Sequence, residues 1–186
     1  GLKRDCVLTD NTAASYQAIE HLIRLGHRRI GVISGLIGLT TSEEREEGYR
    51  KALADYNLPY DKNLIQNGDG RKQSGYFLMQ ELHNNYDITA VFVTNNAMAL
   101  GALHYLNDNA VAIPDDISFI VFDEYKWANI YRPPLTVVRQ DVSALGEKAA
   151  AVLLNYIDKR SNYKDESRIY RMPAELIIRD SCKRIN

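Results

Sequence analysis

Asp10-Asn11-Thr12-Ala13-Ala14-Ser15-Tyr16-Gln17-Ala18-Ile19-Glu20-His21-Leu22-Ile23-Arg24-Leu25-Gly26-His27-Arg28-Arg29-Ile30-Gly31-Val32-Ile33-Ser34 reads as a helix handing over to a strand. Ala14, Ala18, Ile19, Leu22, Ile23 and Leu25 recur at spacings of three and four, which lays them along one helical face. Asn11 or Thr12 is placed to cap the start, and Gly26 to stop the helix. The basic run His27-Arg28-Arg29 then meets the negative end of the helix dipole. Beyond it the apolar run over 30–34 is short and unbroken, the pattern of a strand covered on both faces.

The same alternation continues outward. Residues 6–10 read as a strand before this helix. After Ser34, a loop over 35–40 leads to a helix that opens on Thr41-Ser42-Glu43-Glu44, a capping-box spacing. Its early glutamates suit the positive end of the dipole, and Leu58-Pro59 marks its end. A strand over 63–66, turn residues 67–70 and a helix over 73–82 follow. Strands over 90–94, 118–122, 136–138 and 175–178 are interleaved with helices over 97–107 and 142–156. The polar stretch 161–167 reads as a loop. Strand alternating with helix predicts an α/β fold, a doubly wound and mainly parallel sheet with helices on both faces.

In such a sheet, ligands bind outside the carboxyl ends of the strands. Asp10, Asn95 and Asp123 fall at strand ends, and Thr41 and Arg45 fall in the first turns of the helix after the second strand. Two carboxylates, a carboxamide, a hydroxyl and a guanidinium on one rim suit a polyhydroxylated ligand. Arginine donates in a planar fork, aspartate accepts from paired hydroxyls and asparagine does both. Each residue also has a plainer use. Asp and Asn after strands cap helices, and Arg45 has glutamates beside it to pair with.

Several function classes are excluded. A net charge of -1, with 25% charged residues, leaves no basic cluster to grip nucleic acid phosphates. No apolar run is long enough for a bilayer helix. Cys6 and Cys182 lack zinc or disulfide spacing, and His21, His27, His83 and His104 are scattered, so no metal and no cofactor is expected. There is no GxGxxG, Walker lysine loop, HExxH or GxSxG. Gly35-Leu36-Ile37-Gly38 before a helix is the one stretch that could imitate a phosphate cradle.

Read in order, further stretches resemble the LacI/GalR family of bacterial transcription regulators. Ser42-Glu43-Glu44-Arg45-Glu46-Glu47-Gly48-Tyr49 resembles a Ser-x-x-Arg-x-x-Gly-aromatic motif. Gly68-Asp69 with Ser74-Gly75-Tyr76 resembles the next, and Asn95-Asn96-Ala97-Met98-Ala99-Leu100-Gly101 another. Val111-Ala112-Ile113-Pro114-Asp115-Asp116-Ile117-Ser118, the Val121-Phe122-Asp123 strand end and Pro133-Pro134-Leu135-Thr136 continue the series. Glu175-Leu176-Ile177-Ile178 closes it. The resemblance implies a periplasmic-binding-protein-like type I fold of two subdomains with a ligand cleft between them. It assigns 1–140 to the carboxy-terminal subdomain, 141–171 to part of the amino-terminal one and 172–186 to the return.

It also implies ligand contacts at Thr41, Arg45, Asn95, Asp123 and Gln140, and a homodimer interface at Leu100, His104, Trp127, Ile130 and Tyr131, with a loop after Asp123. The implied function is sensing of a small-molecule effector, a sugar or sugar derivative, in the cytoplasm. DNA would be bound through a separate amino-terminal domain. The chain is expected not to be an enzyme. A transport-type sugar receptor of the same fold and a phosphosugar-handling enzyme are the competing expectations. Two positions depart from the family pattern. Asn96 stands where an aspartate is usual. Gly70 stands where many members carry an aromatic residue after Gly-Asp, removing a stacking platform for a sugar face.

Overall fold

The computed structural model describes residues 5–158 and 167–185. In chain order the elements are β1 (Cys6–Thr9), α1 (Asn11–Arg24), β2 (Ile30–Ser34), α2 (Thr40–Asp55), β3 (Ile65–Asn67), α3 (Lys72–Asn85) and β4 (Ala90–Val93). They continue with α4 (Asn96–Asp108), β5 (Ser118–Phe122), α5 (Lys126–Ile130), β6 (Thr136–Gln140), α6 (Val142–Asp158), β7 (Ile169–Met172) and β8 (Ala174–Ile177).

Six strands form one sheet in the order β3-β2-β4-β5-β6-β8. The first five run parallel, and β8 returns antiparallel along β6, with Val137 opposite Ile177 and Gln140 opposite Ala174. Period-two alternation divides the strands between two cores. Val91, Val93, Phe119, Val121 and Val137 pack under α3 and α4. Ile30, Val32, Phe92, Ile120, Phe122 and Val138 pack under α1 and α2. The sheet is therefore doubly wound, with helices on both faces, as the sequence pattern predicts. Chain order reverses between β2 and β4: α2 leads outward to β3, and α3 brings the chain back across β2 to β4.

The helix pairs approach closely because glycine stands at the contacts. A Cβ on Gly48 of α2 would lie 2.4 Å from the Thr12 carbonyl oxygen and 2.9 Å from the Tyr16 amide nitrogen of α1. A Cβ on Gly101 of α4 would lie 1.8 Å from the Lys72 carbonyl oxygen of α3. Neighbouring Tyr49 is buried and donates its hydroxyl to the Ile30 carbonyl at 3.1 Å, tying α2 to β2. His27 is buried beyond α1 and joins the Thr89 hydroxyl at 2.8 Å and the Lys183 carbonyl at 3.1 Å. Burial draws its pKa below that of a free imidazole.

Several local expectations are corrected. α1 is capped by Asp10, whose Oδ1 accepts from the Ala13 amide at 3.0 Å, not by Asn11 or Thr12. The Thr41-to-Glu44 capping box does not form. α2 begins one residue earlier, Leu39 occupies the cap position without a side-chain bond, and Glu44 is engaged elsewhere. The stretch after Asp123, expected as a loop, contains α5. β1, expected beside the other strands, pairs in parallel with β7 in a separate two-stranded sheet, from Cys6 opposite Ile169 to Thr9 opposite Met172. β7 itself carried no strand expectation, and of the loop expected over 161–167 only Ser167 lies among the described residues.

Candidate ligand-binding site

Arg45 projects from the second turn of α2, directly after β2. Its guanidinium carbon lies 3.6 Å from the centre of the Phe122 ring at the end of β5. Its Nε donates to Asn11 Oδ1 at 2.9 Å, and a terminal nitrogen donates to the Thr94 carbonyl at 2.6 Å. Thr94 follows β4, so this bond bridges the point where the strand order reverses, the crevice in which open α/β sheets hold their ligands. Burial disfavours the cation, while Asp123 and Glu44 favour it. A guanidinium stays protonated at any physiological pH, so the burial costs free energy rather than charge. Two of its five N–H groups are accounted for by Asn11 and Thr94.

Asp123 follows β5 with φ 78°, the left-handed region that non-glycine residues seldom occupy. Its amide donates to the Val138 carbonyl at 2.8 Å, which fixes the strained backbone against β6. Oδ1 accepts a hydrogen bond from Gln140 Nε2, and Gln140 Oε1 accepts one from the Thr9 hydroxyl. Arg45, Asp123 and Gln140 are thus gathered at the carboxyl ends of β4, β5 and β6.

The other two expected contacts differ. Asn95 lies on the same rim, but its Oδ1 caps α4 by accepting from the Met98 amide at 3.0 Å, leaving its amide nitrogen as the donor. Thr41 is exposed in the first turn of α2, one helical turn before Arg45. Asp10, also read as a rim carboxylate, caps α1.

The structure adds residues that the sequence pattern did not single out. Asn11 is buried, accepts from Arg45, and donates to Glu44 Oε2 at 2.9 Å. Glu44 pairs with Arg171 of β7 at 2.6 Å. The Arg171 guanidinium, then Asn11 and Arg45, hold the Glu44 carboxyl below the usual range against the opposing effect of burial. A second string runs from Asp123 through Gln140 to Thr9 of β1. Both strings join the rim of the large sheet to the β1–β7 sheet. Asn11 reads as a helix cap in sequence, and nothing near Glu44 announces a partner 127 positions away, so spacing alone could not reveal them.

Leu100, His104, Trp127, Ile130 and Tyr131 line one groove of about 390 Å³ together with Lys72, Leu103 and Asn107. Ile130 is 71% exposed, while Trp127 and Tyr131 also pack against the core. Among the described residues no group of three His, Cys, Asp or Glu is placed to hold a metal ion. Among them, too, no helix is long and apolar enough to cross a membrane.

The family described as periplasmic binding protein-like domain matches residues 19–182. The chain is 36% identical over 184 residues to the HTH-type transcriptional repressor PurR of Actinobacillus pleuropneumoniae serotype 3 (strain JL03), covering 98% of the chain and 54% of that protein. It therefore spans about half the length of the curated relatives it matches. Among solved structures it is similar to the transcriptional regulator CelR in complex with cellobiose, with a TM-score of 0.88 and 32% identity over 96% of this chain and 54% of that one. A LacI family transcriptional regulator from Enterococcus faecium with bound ribose gives a TM-score of 0.87 and 28% identity, over 100% of this chain and 68% of that one.

Proposed function

Because the chain belongs to the periplasmic-binding-protein-like domains of LacI-family transcriptional regulators, we propose that it senses a small hydroxylated effector through Arg45, Asp123 and Gln140, with Asn95 and Thr41 at the margin. The observation that carries this reading is the seat of Arg45. It is stacked on Phe122, bonded across the reversal of strand order to Thr94, and within the field of Asp123. A fork of donors beside an acceptor carboxylate matches vicinal hydroxyls, which accept and donate in turn. Preorganisation by Asn11 and the aromatic ring keeps the ordering cost of binding low.

Sensing becomes signalling through the two strings that leave the rim. An effector that engages Arg45 and Asp123 alters what holds Asn11, Glu44 and Arg171 on one side and Gln140 and Thr9 on the other. Residues 6–9, expected with the carboxy-terminal subdomain, pair instead with β7 in a separate sheet, and we therefore group β1 with α6 and β7 as the portion of the second subdomain that these contacts reach. A ligand that favours one arrangement of the subdomains shifts the population by its differential affinity. In the whole regulator that shift would be read as a change in operator affinity through a DNA-binding domain outside this chain. The protein would work in the cytoplasm, without catalysis. The groove lined by Trp127, Ile130 and Tyr131 is the homodimer contact in this reading, since large apolar side chains gathered on an exposed groove fit an interface.

A thermal-shift panel of cellobiose, ribose and related sugars and sugar derivatives tests the site. Binding to the folded state raises the midpoint by mass action. At least one member is expected to raise it for the wild-type chain and to leave Arg45→Ala unmoved. An equal rise in both proteins would remove Arg45 from the site.

A further inference from the structure

Beside the Arg45 cluster on the same rim lies a second concavity of about 620 Å³, lined among others by Leu36, Ile37, Asn67, Asp69, Arg71 and Phe77. Its apolar lining is unusually bare: Ile37 is 83% exposed, Phe77 54% and Leu36 49%. The loop that carries Leu36 and Ile37 leaves the end of β2. That end is flanked by β3 on one side and by β4, with Thr94 beyond it, on the other. Asn67 donates to the Gly35 carbonyl at 3.3 Å and the Gly68 amide to the Ser34 carbonyl at 2.9 Å, which fixes the floor between β2 and β3. Gly38 turns the loop with φ 84°.

The groove and the Arg45 cluster are thus neighbouring stations along one row of strand ends. From β3 to β5 is three strand spacings, about 14 Å, the reach of a two-ring molecule. The volume lies in the range of small-ligand sites, about 300–1,000 Å³. Three large apolar side chains line it, with the polar groups of Asn67, Asp69, Arg71, Gln73 and Ser74 around them, enough apolar surface to cover one ring of a ligand whose other end is polar. Gly70, between the lining residues Asp69 and Arg71, has no side chain to offer a ring, and the apolar surface comes from Phe77 and the β2 loop.

We infer that the effector is an amphipathic glycoside: a sugar ring held by Arg45 and Asp123, joined to an aromatic or alkyl aglycone that lies over Leu36, Ile37 and Phe77. The inference rests on the effector reading of Arg45 and deepens it, because a bare monosaccharide would leave these side chains in water. A second hydroxylated ring would set its polar edges against them.

Matched methyl and phenyl pyranosides of the gluco and galacto series, with cellobiose and ribose alongside, test it by titration calorimetry on the chain. In at least one pair the phenyl member is expected to bind about tenfold or more tightly than the methyl member, the gain from burying one ring. Ile37→Ser combined with Phe77→Ser, both at exposed positions, is expected to bring that ratio close to one while methyl glycoside affinity changes little. Arg45→Met is expected to abolish binding of both. A phenyl preference that is absent, or that survives the double variant, overturns the aglycone site. If bare sugars still bind and Arg45→Met still abolishes them, the effector reading stands without it. No binding of any member overturns both.

Discussion

Asp123 holds φ 78° at the end of a fully buried strand, a conformation that glycine would adopt without strain. Asp123→Gly and Asp123→Ala both remove the acceptor for Gln140, so the difference between them isolates the backbone. The glycine variant is expected to be more stable than the alanine variant by about 1 kcal/mol, measured by urea unfolding. A difference near zero would mean that the strained conformation is not kept when the carboxylate is gone. The Asp123 carboxylate accepts from Gln140 and favours the Arg45 cation, two contacts that glycine could not make. At this scale the sequence is informative but incomplete. Arg45, Asp123 and Gln140 stand out by residue type and by family pattern, and they meet. Asn95 and Asp10 are drawn into capping, a use that sequence position cannot separate from ligand binding because both need a short polar side chain after a strand.

Between elements, the motif spanning Ser42, Arg45, Gly48 and Tyr49 has two separate physical causes. Arg45 faces the rim, whereas Gly48 and Tyr49 fix α2 against α1 and β2. Gly48→Ala sets a methyl 2.4 Å from the Thr12 carbonyl oxygen, a contact with backbone that only a shift of the helices relieves. A loss of about 1–3 kcal/mol in urea unfolding is expected. An unchanged midpoint would show that α1 and α2 separate freely. Hydrophobic periodicity makes every strand of the six-stranded sheet and the long helices legible, since both cores depend on it. The β1–β7 pair is not legible in the same way. Ile169-Tyr170-Arg171-Met172 is too short for its pattern to specify a partner, and that partner lies 163 positions away. α5 escapes notice for a related reason: five residues with no side-chain cap carry little local signal.

For the whole molecule, apolar surface is unevenly spread. Leu100 and Ile130 stand exposed at the groove on the α4–α5 side. Val142, Leu153, Leu154 and Ile157 are exposed along α6. Leu100→Asp with Ile130→Asp is expected to shift sedimentation from dimer to monomer without changing the circular dichroism spectrum. A wild-type chain that sediments as a monomer at all accessible concentrations would show that the groove is not a dimer contact. In the proposed function an effector is gripped where the strand order reverses. Amide chemical-shift mapping of the labelled chain, titrated with the sugar that gives the largest thermal shift, tests it most directly. The perturbed amides are expected to cluster at Arg45, Asn95, Asp123 and Gln140. Perturbations gathered on the α4–α5 groove or along α6, with those four unmoved, would contradict it.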